Sequence, residues 1–155
     1  MSEGGGILWK GYTMNQSEVA IVGIDPGPEP GVVVLWCSEG SVVHAETHTD
    51  PWVTLRNLQW GPTLPALQVW VAVERSIVGR GTHPQDEGTS METLTQAVTK
   101  SGWPLQFLPA GRVKSLVTDE RLKSYGIWDR LNRHQRDAAR HAVFMGLKHG
   151  ALKPV

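Results

Sequence analysis

The sequence predicts an α/β domain, a mixed sheet with helices on both faces. Three observations lead there. The apolar runs 19–24 and 31–37 are separated by a short Pro/Gly stretch, Pro26-Gly27-Pro28-Glu29-Pro30, so they read as an antiparallel pair. Residues 67–74 are almost continuously apolar, the mark of a strand buried on both faces. Beyond residue 88 the apolar spacing changes to three and four, the helical period.

Taken in order, residues 1–17 are small, polar and without a clean period. They are expected to form a flexible N-terminal arm, leaving 18–155 as one domain. The first strand, 19–24, delivers Asp25 at its end, and the second, 31–37, returns beside it. Ser38-Glu39-Gly40 supplies a hairpin turn into a third strand, 41–49, where Val43, Ala45 and Thr47 alternate with His44, Glu46 and His48. Asp50 as N-cap and Pro51 at the first helical position open a helix. Trp52, Leu55 and Leu58 follow at a spacing of three, and Gly61-Pro62 stops it. The central strand 67–74 ends in Glu74, and 75–88 reads as a mobile loop. Thr89 and Glu92, three apart, resemble a capping box for a helix with Met91, Leu94, Ala97 and Val98 as its apolar stripe. Gly102 and Pro104 end that helix before a short strand, 105–108. Pro109 starts a helix expected to turn Val113, Leu116 and Val117 inward. A short helix near 120–124, a turn at Gly126 and a final helix, 133–149, ending at Gly150 complete the order β-β-β-α-β-α-β-α-α.

A chain of 155 residues can bury a sizeable core. No run approaches the roughly 18 apolar residues of a membrane span, and Met1-Ser2-Glu3-Gly4-Gly5-Gly6 is no basic leader, so neither membrane nor secretion is expected. Cys37 is the single cysteine, which excludes an internal disulfide and a cysteine-based zinc site and fits a reducing cytoplasm. Net charge is zero, yet residues 1–99 carry a balance of −7 and residues 100–155 one of +7. That asymmetry is the electrostatic footprint to look for in a chain that meets a polyanion with one side; the alternative is that the two halves neutralise each other within one fold.

Two strands end in acids, Asp25 and Glu74, and strands neighbouring in one sheet would bring both to the same edge. On the last helix His134 and Asp137, three apart, share a face. At about 100° per residue, Ala138, Ala142, Met145 and Gly146 make a small-residue core face, and Arg133, Arg136 and Arg140 fall together on another. His134, Asp137 and His141 lie between them. Carboxylates beside an arginine stripe are what phosphodiester hydrolysis needs. Two Mg²⁺ ions about 4 Å apart can activate water and relieve charge on the departing oxygen, and hard cations take oxygen ligands. A histidine ligand moves the preference toward Mn²⁺, or serves as a proton shuttle. His44-Ala45-Glu46-Thr47-His48 shares letters with a zinc-protease helix, but its Glu is misplaced and the segment alternates like a strand. The Pro/Gly turn makes a poor phosphate loop, because Pro26, Pro28 and Pro30 lack N–H donors.

Ile21-Val22-Gly23-Ile24-Asp25-Pro26-Gly27 resembles the opening strand of RuvC-type Holliday junction resolvases, in the RNase H-like superfamily. Val73-Glu74-Arg75 is similar to their second acidic strand end, and the stretch 108–118, with Lys114, to their basic Val-rich segment. His134-Gln135-Arg136-Asp137-Ala138-Ala139 resembles their last helix. The segment after Glu74, Ser76-Ile77-Val78, lacks the aromatic that the family carries there. The resemblance implies a five-stranded RNase H-like mixed sheet with an antiparallel meander followed by β-α-β. It implies catalytic, metal-binding Asp25, Glu74, His134 and Asp137, with two Mg²⁺ or Mn²⁺ ions, and Lys114 beside the scissile phosphate. DNA contacts would come from Arg75, Arg80, Lys114, Arg133, Arg136 and Arg140. The implied activity is endonucleolytic cleavage of four-way junctions, with forks and flaps as further branched DNA. The implied assembly is a homodimer matching the junction's two-fold symmetry, its interface near 89–101. So compact a version would suit a bacteriophage. The competing expectations are an RNase H-like module that binds DNA or scaffolds a partner without catalysis, and an RNase H-like kinase or ATPase, which the proline-rich turn suits poorly.

Overall fold

The computed structural model describes residues 7–9, 12–14, 19–60, 68–75 and 84–154. Among them, seven strands and five helices follow in the order β1 (Ile7–Trp9), β2 (Tyr12–Met14), β3 (Val19–Asp25), β4 (Gly31–Ser38), β5 (Ser41–His48), α1 (Pro51–Trp60), β6 (Gln68–Arg75), α2 (Pro84–Ser101), β7 (Leu105–Pro109), α3 (Ala110–Leu116), α4 (Asp119–Ser124) and α5 (Arg133–Lys148). β1 and β2 pair as a small antiparallel ribbon with Trp9 opposite Tyr12, local order within the stretch expected to form a flexible arm. The other five strands form one mixed sheet in the order β5-β4-β3-β6-β7. β3 is antiparallel to β4 and parallel to β6, which is parallel to β7. The expected meander followed by β-α-β is therefore the observed topology.

Because side chains alternate along a strand, β3 serves two cores. Ala20, Val22 and Ile24 join Val32, Val34, Val71 and Val73 beneath Leu55 of α1 and Leu94 and Val98 of α2. Ile21 joins Val33, Leu35 and Ala72 on the other face, under Ala138, Ala142, Val143 and Met145 of α5. Asp25 and Glu74 share parity with Ile21 and Ala72, so both acids emerge on the α5 side. Helices cover both faces, as the apolar runs required.

The helix boundaries refine the sequence reading. Asp50 caps α1, its Oδ1 accepting from the N–H of Trp52 at 2.9 Å and of Val53 at 3.3 Å. Trp52 is 37% exposed, however, while Leu55 is buried. A strict spacing of three rotates about 60° per step away from the 3.6 period, so it cannot keep all three residues inward. The Gly61-Pro62 stop lies outside the described residues. α2 begins at Pro84, not at Thr89. Proline suits the first helical position, and the Thr89/Glu92 pair therefore lies inside the helix rather than at its mouth. The loop expected over 75–88 is thus helical from Pro84 onward, and residues 76–83 lie outside the described residues. Leu116 is 48% exposed rather than inward, while Val113 and Val117, four apart, are both buried. α4 starts at Asp119, capped by Thr118, and α5 is opened by a reciprocal capping box between Asn132 and Gln135. The His44–His48 segment lies on β5, a sheet edge, as its alternation required. After α5 the chain returns to the β4–β5 turn, where the Lys153 N–H donates to the Gly40 carbonyl at 2.9 Å. Among the described residues no helix is long and apolar enough to cross a membrane.

Candidate active site

Asp25 is the last residue of β3 and Glu74 the last but one of β6. The parallel register ends with Ile24 opposite Val73, which sets Asp25 and Glu74 side by side at one sheet edge. α5 crosses above this edge because β3 and β4 give it room. A β-carbon on Gly23 would lie 2.0 Å from the Ala138 carbonyl oxygen. The first turn of α5 thus brings His134 onto Asp25, Nδ1 to Oδ2 3.1 Å, with Nε2 3.7 Å from Glu29 at the turn.

Asp137 sits one turn along. Its Oδ1 accepts from Nη1 of Arg140 at 3.0 Å and faces Nζ of Lys114 at 3.8 Å. Arg140 reaches further, to Oδ1 of Asp119 through Nη2 and to the Val117 carbonyl through Nε at 3.2 Å. Arg140, grouped by sequence with the DNA-facing arginines, is thus committed to protein acceptors and braces Asp137.

The electrostatics record how closely the acids are gathered. Glu74 is pushed up to about 7, first by burial, then by the charge of Asp25 and a hydrogen bond shared with it, then by Asp137. Lys114 opposes these effects without cancelling them. Three acids from three elements therefore crowd one region, with Glu74 feeling the other two. His141, placed by sequence at the border of the small-residue face, is fully buried instead. Its Nδ1 lies 2.8 Å from the Asp137 carbonyl, and burial pushes its basicity down.

The chemistry of the donor set suits a hard divalent cation: three carboxylates, one imidazole and a local excess of negative charge that binding would relieve. Among the described residues no three His, Cys, Asp or Glu side chains already converge on one point. Asp25 is engaged by His134, and Asp137 is turned toward Arg140 and Lys114. The residues fit the ion in kind, and its entry would draw Asp137 away from these cations.

Beside Asp137 opens a cleft of about 510 Å³, lined by Lys114, Arg133, Arg136, Arg140 and Trp128 among others. The arginine stripe read from sequence therefore faces one space. Arg75 is exposed at the end of β6, and Arg80 lies outside the described residues. Sequence reasoning missed Trp128, Asp119 and Glu29. Asp119 and Trp128 reach the cleft from the segment between α3 and α5, and no residue pattern announces them; Glu29, in the turn after Asp25, carried a signal only by its proximity.

No protein-family model matches the chain, and no curated protein matches it by sequence. Solved structures do match. The Thermus thermophilus RuvC structure aligns with a TM-score of 0.59 at 19% identity, over 88% of this chain and 99% of that one. T. thermophilus RuvC in complex with Holliday junction substrate aligns with a TM-score of 0.59 at 20% identity, over the same shares. With its β5-β4-β3-β6-β7 order and helices on both faces, the chain has the RuvC-like, RNase H-like α/β fold.

Proposed function

We propose that the protein is a divalent-metal-dependent endonuclease that hydrolyses phosphodiester bonds in branched DNA, four-way junctions above all. The observation that carries the proposal is the placing of Asp25 and Glu74 side by side at one strand edge, where burial first and then the charge of Asp25 push Glu74 up to about 7. Such crowding of carboxylates is a disadvantage to folding and marks functional sites. The choice of junction DNA draws support from the T. thermophilus RuvC structure that contains a Holliday junction substrate.

Asp25 and Glu74 would hold Mg²⁺ or Mn²⁺, with Asp137 and His134 completing the set. A bound cation would lower the pKa of its water and offset charge on the departing oxygen. Lys114, 3.8 Å from Asp137, would stand beside the scissile phosphate. Arg133, Arg136 and the exposed Arg75 would take neighbouring phosphates. Two copies related by a two-fold axis would place two such sites symmetrically on a junction, with α2 as the contact.

Cleavage of synthetic junctions, forks, flaps and linear duplex with Mg²⁺, Mn²⁺ or chelator tests this reading. Metal-dependent nicking of branched substrates is expected, with Asp25→Asn and Asp137→Asn each slowing it about 100-fold or more. Variants as active as the parent would overturn it. One observation favours a second reading, a DNA-binding module without catalysis: His134 already pairs with Asp25, and Arg140 with Asp137. Junction binding that survives chelation, with no turnover under any metal, is its signature.

A further inference from the structure

The cations of the cleft differ in freedom. Lys114 faces Asp137, and Arg140 is fastened to Asp137, Asp119 and Val117. Arg136 pairs with no carboxylate among the described residues. Its guanidinium carbon lies 3.8 Å from the centroid of the Trp128 ring, and its Nε is buried without an acceptor. Lys123 approaches the same ring, Nζ 4.9 Å from its centroid. The acids on this side are taken: Asp119 by Arg140, and Glu120 by Lys123 at 3.8 Å.

A guanidinium lying on an indole is held by its face, through the ring's negative quadrupole. Its edge, which carries the N–H donors, stays available. Arg136 lines the cleft, so an acceptor entering there would meet its guanidinium, while the buried Nε is shielded by protein and takes no part. Trp128 and Arg136 line the same cleft as Asp137, so that acceptor would sit next to the candidate site. An oxyanion with several acceptor oxygens matches the arginine fork best.

We propose that Trp128 positions Arg136 to bind a backbone phosphate of the cleaved strand, adjacent to the phosphate attacked at Asp25 and Glu74. The cleft is then a second phosphate subsite, with Arg136 as its ligand and Trp128 acting through Arg136. This inference rests on the nuclease reading and adds to it the register in which the strand lies.

The test is binding of a labelled four-way junction with Ca²⁺ in place of Mg²⁺, measured across a salt series. Arg136→Ala is expected to weaken binding about tenfold or more and to lower the log-affinity against log-salt slope by about 0.7–0.9, one phosphate contact. Trp128→Ala should weaken binding while leaving the charge in place, and Trp128→Ala with Arg136→Ala should bind no worse than Arg136→Ala alone. Arg136→Lys should restore the salt slope but abolish the dependence on Trp128. Should Trp128→Ala fail to fold, Trp128→Phe made in the parent and in the Arg136→Lys variant carries the same comparison. An unchanged slope in Arg136→Ala, or additive losses in the double variant, overturns the subsite. A parent that binds and cleaves branched DNA beside an unaffected Arg136→Ala overturns the subsite alone; a parent that binds no DNA overturns the nuclease reading with it.

Discussion

A β-carbon on Gly31 would sit 2.3 Å from the carbonyl carbon and oxygen of His134. Gly31 is also the residue paired with Asp25 across the antiparallel ladder. The position opposite the acid is therefore bare so that the first turn of α5 can lie directly on the sheet. The contact that sets His134 against Asp25 is a backbone packing contact before it is a polar one.

Gly31→Ala is expected to destabilise the fold by about 1–3 kcal/mol, the usual range for forcing atoms into a packed interface. It should also separate His134 from Asp25. Gly111→Ala provides the contrast, since a β-carbon there meets nothing within 4 Å and the residue lies in α3. That change should be neutral or stabilising by up to about 1 kcal/mol. Urea unfolding of both variants checks the pair.

Stability without metal should fall as the pH rises through the titration of Glu74. Its carboxyl ionises near 4.5 when unconstrained and at about 7 in the folded protein. Between those values the folded state keeps a proton that the unfolded state has released, so folding is penalised increasingly with pH. Below the lower value both states are protonated and the penalty vanishes. In chelator, Glu74→Gln should match the parent at pH 4 and exceed it in urea midpoint at pH 8. Equal differences at both values would count against the crowded pair.

Divalent metal should reverse that penalty. A site binding only the folded state adds about 2.7 kcal/mol when the ion is at 100 times its dissociation constant. Because the ligands must be deprotonated, the rise in thermal midpoint on adding Mn²⁺ should be larger at pH 8 than at pH 6. It should be lost in Asp25→Asn. Thermal scans at the two pH values, with and without the ion, measure it.

Arg140→Ala should cost about 1.5–3 kcal/mol, the range for hydrogen bonds to charged groups. Its side chain and that of Asp137 are 12% and 14% exposed, so removal leaves Asp137 poorly solvated. Arg140→Lys should recover little, since an ammonium cannot bridge Asp137, Asp119 and the Val117 carbonyl at once. Urea unfolding gives the loss, and the cleavage assay shows whether an unbraced Asp137 still serves.

The sheet was legible because its apolar runs are bounded by residues that cannot continue them: Asp25-Pro26 after β3, Glu39-Gly40 after β4 and Gly102 before β7. Asp25 and Glu74 stood out for a related reason, since an apolar strand gives no folding cause for a terminal acid. Helix limits were less legible. Thr89 and Glu92 have the letters of a cap but lie inside α2, because a proline upstream starts the helix earlier. Leu116 shares the chemistry of Val113 and Val117 yet points outward, since a two-turn helix has too narrow a buried face. The contacts of Trp128 with Arg136, of Arg140 with Asp119 and of Gly31 with His134 were illegible. Each depends on how turns and helices dock, which local pattern does not encode.

His134 and Asp25 are 109 residues apart in the chain, and α5 leaves the ribosome after every strand of the sheet. The sheet face bearing Ile21, Val33 and Leu35 lacks Ala138, Ala142, Val143 and Met145 until that helix arrives. A chain cut short before residue 133 thus displays a greasy sheet to chaperones and proteases while lacking Asp137 and His134. The same helix that completes the core on that face also brings His134 and Asp137 to the sheet edge, so burial and site assembly depend on one late element.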